Sequence, residues 1–237
     1  MLLWEIQYFS MSKGSAEMVS TIESTDARTT DVDDTRLGAR RHSPAEHLWG
    51  DFAETAVGEA LVSLREIPFQ TMVGIRVDPL SAGGRRIGTV TGGLPTECGQ
   101  VTTRADGAAV LWLGPDEFLL IAQEEAVAGT LAAEAVAALG DGAGQVVDLS
   151  SNRTTFELDG PAARAVLEKS CAADLHPRAF TAATAIATVI GNVPVVLWKT
   201  GDETFCLFPR TSFADYLGRW LLDGMREFTA AAGTSWH

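Results

Sequence analysis

The sequence predicts an α+β protein with two antiparallel β-sheet halves, each carrying helices on one face of its sheet. Short apolar runs separated by Gly-, Pro-, Asn- and Asp-containing turns outnumber helical stretches in its 237 residues. Several neighbouring runs are close enough to form hairpins, and one strand–turn–strand–helix pattern occurs twice. Because hairpins outnumber strand–helix–strand crossovers, a parallel α/β fold is less favoured.

The two ends of the chain differ in composition from its body. Residues 11–45 are polar and nearly free of large apolar side chains, so they cannot bury enough surface to offset the entropy of ordering. We therefore predict a disordered N-terminal extension over 1–45, a folded domain over 46–228 and a disordered tail over 229–237. Translation could start at Met1 or at Met11.

The first half of the domain begins with a strand over Val73–Val77, where apolar and polar residues alternate. Residues 81–107 are glycine-rich and predict an irregular segment with short strands. Within it, neither Gly83-Gly84 nor Gly92-Gly93 is expected to open a helix. Runs over 108–113 and 118–122 predict a hairpin. An Ala- and Leu-rich helix is expected over 124–139, ended by the glycines of 140–142.

The second half repeats this kind of organisation. Its predicted strands cover 145–149, 154–158, 185–190, 193–198 and 204–208. A helix starts near Pro161, which suits a first helical turn, and runs to about residue 170. The last helix has Thr211 or Ser212 as its expected N-cap. It carries one apolar stripe: Phe213, Tyr216, Leu217, Trp220 and Leu221.

Two short segments indicate an internal repeat. Residues 110–117 read VLWLGPDE and residues 196–203 read VLWKTGDE, and a helix is predicted after each. The predicted halves of the domain are 60–142 and 143–228.

Charge and cysteine content exclude several classes of protein. The formal net charge is −13, and because residues 1–45 hold seven acidic and five basic residues, most of it lies on the folded body. Such a surface repels nucleic acid and anionic lipid. No apolar run is long enough to span a membrane, and residues 1–10 lack a basic signal-peptide start. Three widely spaced cysteines predict free thiols, and we expect a cytoplasmic protein.

The sequence presents no catalytic constellation. The adjacent acids of the turns at 114–117 and 200–203 are expected to be solvated rather than to act as an acid–base pair. Cys171 precedes His176 by five residues, but no nucleophile motif accompanies them. We therefore predict no catalytic, cofactor-binding or metal-binding residue in this chain.

Arg153 and the aromatic residues point instead to contacts. Arg153 lies between two predicted strands, where it could bind an anion or form a salt bridge with Asp148 or Glu157; the acidic composition favours the salt bridge. Six Trp, ten Phe and an excess of Arg over Lys hint at a protein partner. The interface candidates are Pro68, Phe69, Arg76, Trp112, Arg153 and Trp198.

Taken in order, six segments between about residues 43 and 224 resemble the gamma subunit of heterotetrameric sarcosine oxidase. They are 65–79, 110–117, 147–154, 158–169, 174–180 and 212–220. The resemblance implies ferredoxin-like halves similar to the folate-binding domain of glycine-cleavage aminomethyltransferases. It also implies partners, namely the alpha, beta and delta subunits.

The activity that the resemblance implies belongs to the whole complex. Sarcosine is oxidatively demethylated to glycine, with hydrogen peroxide and methylene-tetrahydrofolate or formaldehyde as the other products. FAD, FMN, NAD and tetrahydrofolate are expected in other subunits, and the gamma subunit is structural.

Two other readings stay open. The first is a stand-alone folate-binding or aminomethyltransferase-like protein of one-carbon metabolism, although residues 169–173 lack the glycines and Gln-Glu of the Lys-Gly-Cys-x-x-Gly-Gln-Glu signature of folate-dependent repair proteins. The second is an independent one-carbon binding module that uses Arg153 and the acidic turns.

Overall fold

The computed structural model describes residues 41–122 and 128–229, and two five-stranded antiparallel sheets organise that part of the chain. The strands are β1 (Ser63–Ile67), β2 (Thr71–Arg76), β3 (Val101–Thr103), β4 (Ala109–Gly114), β5 (Glu117–Ala122), β6 (Gln145–Asp148), β7 (Thr155–Asp159), β8 (Thr184–Ile190), β9 (Val193–Lys199) and β10 (Thr204–Pro209). The helices are α1 (Trp49–Thr55), α2 (Ala82–Thr91), α3 (Ala128–Leu139), α4 (Ala163–Glu168) and α5 (Ala214–Thr229).

The two sheets have the same plan with one strand exchanged. Sheet A has the order β1-β7-β10-β9-β8 and sheet B the order β6-β2-β5-β4-β3. Along the chain, β1-β2-α2-β3-β4-β5-α3 is followed by β6-β7-α4-β8-β9-β10-α5. The first strand of each series therefore pairs with the second strand of the other series: β1 pairs with β7 in sheet A, and β6 pairs with β2 in sheet B. The ranges 60–142 and 143–228, taken as domain halves, stay a prediction.

The sheets stack face to face, and helices cover their outer faces. On sheet A, the helices α1, α4 and α5 pack through residues such as Phe52, Val166 and Leu217. On sheet B, α2 and α3 pack through residues such as Ile87 and Leu131. This arrangement confirms the predicted α+β class, because each antiparallel sheet has its helices on one face.

An apolar layer joins the inner faces of the sheets. Its buried members are Met72, Ala109, Leu111, Leu119, Ile121, Ala185, Val196, Cys206 and Phe208. In β2 and β5 these residues alternate with others, such as Val73 and Leu120, that face the helices. Period-two alternation thus places every second side chain of a strand in a different core.

The glycine-rich segment after β2 was wrongly predicted to be irregular. It contains α2, which begins after Ser81, whose hydroxyl accepts a hydrogen bond from Gly84 N at 2.9 Å. A Cβ on Gly84 would lie 2.2 Å from the Asp78 carbonyl oxygen. Close packing against the preceding turn therefore explains why position 84 is glycine. The glycine content of the segment alone had suggested a loop.

The ends of the folded part also differ from the prediction. Ser43 and Ala45, which the prediction assigned to the extension, are buried, and neither α1 nor β1 was expected. The last helix was expected to start from a Thr211 or Ser212 cap. Instead a 3₁₀ turn spans Thr211–Phe213, and the Thr211 hydroxyl donates to the Ser151 carbonyl oxygen at 2.9 Å.

The predicted hairpin over 108–122 is confirmed as β4–β5. The matching letters of the repeat, however, are one residue out of structural register. Phe118 of β5 and Phe205 of β10 both face helices, and they lie 87 positions apart, whereas the two VLW strings lie 86 apart. A slip of one residue reverses the face of a strand side chain. Trp112 accordingly packs towards the helices and Trp198 towards the other sheet.

Candidate binding groove between the two sheets

Two adjoining cavities open between the sheets and share Leu113, Glu117 and Arg153 in their walls. Their volumes are about 210 Å³ and 390 Å³. We call them together the inter-sheet groove. It contains side chains from strands of both sheets, so the stacking of the sheets creates it.

The walls of the groove combine apolar side chains with charged and polar ones. The first cavity is bounded on sheet B by Gly74, Val147 and Leu149, and the second on sheet A by Ala187 and Pro194. A Cβ on Gly74 would lie 2.7 Å from Leu149 Cδ1, so the absence of a side chain there lets Leu149 pack against β2.

Two arginines lie opposite each other in the groove. The β7–β10 pairing matches Thr204 with Asp159 and Leu207 with Phe156. The same register extends to an isolated bridge between Arg153 and Arg210. Residues directly opposite in an antiparallel pair share one face of the sheet, and like charges there repel. Both arginines accordingly line the second cavity.

Arg153 is half-buried and fixed at one end. Its Nη1 donates to the Phe208 carbonyl oxygen at 2.7 Å. Within residues 41–122 and 128–229, its other guanidinium N–H groups have no hydrogen-bond partner, and neither Arg153 nor Arg210 has a carboxylate within salt-bridge distance. Burial, and then the charge of Arg210, lower the pKa of Arg153, and the charge of Glu117 partly opposes them. The guanidinium therefore has unused donors in a site that disfavours its charge.

The salt bridge expected for Arg153 was wrong. The Asp148 carboxylate accepts hydrogen bonds from the amide and hydroxyl of Ser150, at 2.9 Å and 2.6 Å. Glu157 pairs with Arg65 at 2.6 Å. Both acids on neighbouring strands are thus engaged elsewhere, and the anion-binding alternative remains.

At the rim of the groove, Arg76 pairs with two acids of the β4–β5 turn. Arg76 Nη2 donates to Glu117 Oε2 at 3.0 Å, and Asp116 lies 3.9 Å from Arg76 Nε. All three side chains are at least half exposed, so these ion pairs contribute little to stability. The acids of this turn are solvated, as the sequence indicated, and they do not reach Arg153 as salt-bridge partners.

The predicted interface residues are not gathered in one place. Arg76 and Arg153 line the groove, whereas Trp112 is half-buried under the helices of sheet B and Trp198 is half-buried in the inner layer. Pro68 borders a separate apolar pocket of about 410 Å³ beside α1. Phe69 has a positive φ of 58° in the turn that carries the chain from sheet A to sheet B. As interface residues they stay a prediction.

Sequence reasoning missed two groups of residues. Arg210 follows the last strand, and only the β7–β10 register brings it to Arg153. Glu66 is buried, and its carboxylate accepts from Trp49 Nε1 at 2.7 Å, from the Thr154 hydroxyl at 2.5 Å and from Ala45 N at 3.3 Å. Residues 63–67 read SLREI, in which apolar and polar residues do not alternate, so the sequence offered no signal for a buried, bonded carboxylate.

The described residues show no nucleophile pair. The Cys171 thiol contacts the Thr188 hydroxyl at 3.7 Å, and the His176 ring accepts from Arg178 N at 3.2 Å, so these two side chains bond elsewhere. Burial raises the pKa of the Cys206 thiol to about 12, so it is unreactive near neutral pH. Over the described ranges, no three His, Cys, Asp or Glu side chains are grouped to hold a metal, and no helix could cross a membrane.

Comparison with known proteins assigns the family. The model of the sarcosine oxidase gamma subunit family matches residues 89–227. The chain is 51% identical over 205 residues to the sarcosine oxidase subunit gamma of Arthrobacter sp., covering 86% of this chain and 98% of that relative. This chain belongs to the sarcosine oxidase gamma subunit family. The gamma subunit of Corynebacterium sp. (strain P-1) is 52% identical over 191 residues, 80% of this chain and 92% of that one.

Solved structures agree with this family and with the fold. A chain of the heterotetrameric sarcosine oxidase from Corynebacterium sp. U-96, solved with pyrrole 2-carboxylate, matches with a TM-score of 0.76 and 47% identity. The match covers 82% of this gamma-family chain and 99% of that chain. Aminomethyltransferase T of the glycine cleavage system from Bartonella henselae matches with a TM-score of 0.54 over 74% of this chain and 48% of that one. Its 17% identity makes it similar in fold alone.

Proposed function

We propose that this chain is a noncatalytic, structural subunit of a complex that oxidatively demethylates sarcosine to glycine. Hydrogen peroxide and either methylene-tetrahydrofolate or formaldehyde are the other products of the proposed reaction. The observation that carries the proposal is the 47% identity to a chain of a heterotetrameric sarcosine oxidase, over 99% of that chain. Relatives of such similarity, aligned over nearly their whole length, commonly keep the same place in an assembly.

The chemistry of the described residues supports a structural role. Cys171 and His176 bond to other groups, Cys206 is protonated at neutral pH, and the acids of the β4–β5 turn are solvated. General acid–base or nucleophilic catalysis needs a positioned pair of groups. We propose that FAD, FMN, NAD and tetrahydrofolate are held by the alpha and beta subunits, which with the delta subunit are the partners of this chain.

We also propose a cytoplasmic location. All three cysteines are free thiols, which is typical of a reducing compartment, where disulfides are rare.

Co-expression with the other three subunits tests the proposed role. With the tag on another subunit, we expect this chain to co-purify in stoichiometric amount and the complex to produce peroxide from sarcosine. The isolated chain, supplied with sarcosine, FAD and FMN, is expected to produce none. Peroxide formation by the isolated chain would refute the noncatalytic role, and failure to co-purify would refute the subunit role.

A titration of the isolated chain with tetrahydrofolate tests the stand-alone alternative. The likeness to aminomethyltransferase T is one of fold alone, so the titration decides whether folate binding accompanies that fold. Micromolar binding by the isolated chain would support this alternative, whereas no binding is expected of a structural subunit.

A further inference from the structure

We propose that the inter-sheet groove docks an apolar segment of a partner subunit that places an Asp or Glu carboxylate between Arg153 and Arg210. This inference rests on the proposed subunit role and specifies one surface through which the chain would act.

The first argument is the repulsion between the two arginines. They stand directly opposite on β7 and β10, continuing the register of those strands. A like-charged cross-strand pair costs stability in the isolated chain. In a chain with a formal charge of −13, acids are abundant, yet among the described residues Glu117 acts on Arg153 only through its charge, and no carboxylate lies within salt-bridge distance of either arginine. An anion from outside the chain would neutralise the pair.

The second argument is the geometry of the free donors. Arg153 is anchored through Nη1 to the Phe208 carbonyl oxygen, so the orientation of its guanidinium is restrained. The residue lines both cavities of the groove. A restrained guanidinium matches a carboxylate with little loss of side-chain entropy, and such charge-assisted hydrogen bonds are the strong ones.

The third argument concerns the walls and points to a polypeptide segment. Val147 lines the first cavity and Val189 the second, and they are 40% and 39% exposed. Pro194, the cross-strand partner of Val189, is exposed as well. Exposed apolar side chains beside a charged centre are typical of an interface hot spot, where a desolvated ionic contact is surrounded by apolar contacts that exclude water. The strand β6 also offers an edge with no pairing partner among the described residues.

Arg210→Glu in the co-expressed complex is the main test. Arg210 is exposed, and the new carboxylate would face Arg153, so the variant is expected to unfold at the wild-type temperature or above it. Its affinity for the other subunits is expected to fall about tenfold or more, as for the loss of a charge-assisted contact. Arg178→Glu is the matched control, because Arg178 is an exposed arginine outside the groove. Wild-type affinity of the Arg210→Glu chain would overturn the proposal.

Site-specific photo-crosslinking identifies the occupant. A benzophenone amino acid at Val147 or at Val189 is expected to crosslink to a peptide of another subunit that contains Asp or Glu. The control site is Val136, which is 53% exposed on α3 away from the groove. Crosslinks to a peptide without an acid, or none at the groove sites, would overturn the proposal. If the wild-type chain itself fails to co-purify, the subunit role fails rather than the groove.

Discussion

The edges formed by β1 and β6 occupy equivalent places in the two sheets, but only the β1 edge is covered by another element. The β1 edge is covered: the Thr55 hydroxyl of α1 accepts from Leu64 N at 3.0 Å, and Glu66 ties Trp49 of α1 to the strand. The β6 strand has three of its four side chains exposed. One topological plan therefore yields one closed edge and one open edge.

This difference shows what the residues before the duplicated elements contribute. The helix α1 precedes β1 and bonds to the backbone of that edge strand, whereas α3, which precedes β6, packs on the face of sheet B. An unpaired edge is a ready template for association, and proteins usually cover it or pair it. The open β6 edge borders the inter-sheet groove. The edge and the groove, both of which we propose as partner contacts, therefore lie on the same side of sheet B.

The largest loss of stability is expected from a substitution of Glu66 at the covered β1 edge. Glu66→Ala removes the acceptor for Trp49 Nε1, the Thr154 hydroxyl and Ala45 N. Buried donors left without a partner should lower the free energy of unfolding by about 2–4 kcal/mol. Urea denaturation measures this change in the free energy of unfolding. The control on the open edge is Gln145→Ala, expected within about 0.5 kcal/mol of wild type because that side chain is exposed. Equal losses at the two edges would contradict the comparison.

The stability of the folded chain is expected to depend on pH through Cys206, which lies in the inner layer between the sheets. Burial raises the pKa of this thiol from 9.0 to about 12. Between these values the unfolded chain loses the proton while the folded chain keeps it, so stability falls as pH rises above 9. The slope should reach at most about 1.4 kcal/mol per pH unit.

Cys206→Ala is the control for that slope, since it removes the titrating group. The difference between wild type and variant should be constant below pH 9 and should shrink as pH rises above it. At neutral pH, iodoacetamide should modify the exposed Cys98 and leave Cys206 unmodified until the protein unfolds. Rapid labelling of Cys206 in the folded protein would show that the sheets do not enclose it.

The smallest expected effect is a gain of stability in the groove. Arg210→Glu replaces a like-charged cross-strand pair with an opposite-charged one. We expect the isolated chain to gain about 0.2–1 kcal/mol of unfolding free energy, measured in low salt. Because salt screens the interaction, the gain should shrink at high ionic strength. A loss of stability would mean that the two arginines do not repel in the folded chain.

Much of the fold could be predicted from local pattern. Alternation and turn residues located the β4–β5 hairpin, and the apolar stripe around Leu217 and Leu221 located α5. The helix α2 could not be predicted, because Gly84 is required there by a close approach to Asp78 and Pro79, which composition does not reveal. The repeat predicted the order of elements but not their register, since a match of letters at Trp112 and Trp198 ignores which face each side chain takes.

The candidate site was predictable only in part. Arg153 could be singled out because it is a lone cation between strands. Its surroundings could not, since Arg210 lies 57 positions along the chain and is placed opposite it by strand register. Composition predicted a salt bridge for Arg153, but the nearby acids Asp148 and Glu157 bond to other groups.

Native mass spectrometry of the co-expressed complex tests the central claim, that this chain contributes contacts while other chains hold the cofactors. We predict one copy of this chain in the intact assembly. After the subunits are dissociated, it should have the mass of its polypeptide alone, while flavin mass remains with other subunits. A flavin retained on this chain, or an intact active assembly that lacks it, would contradict the account.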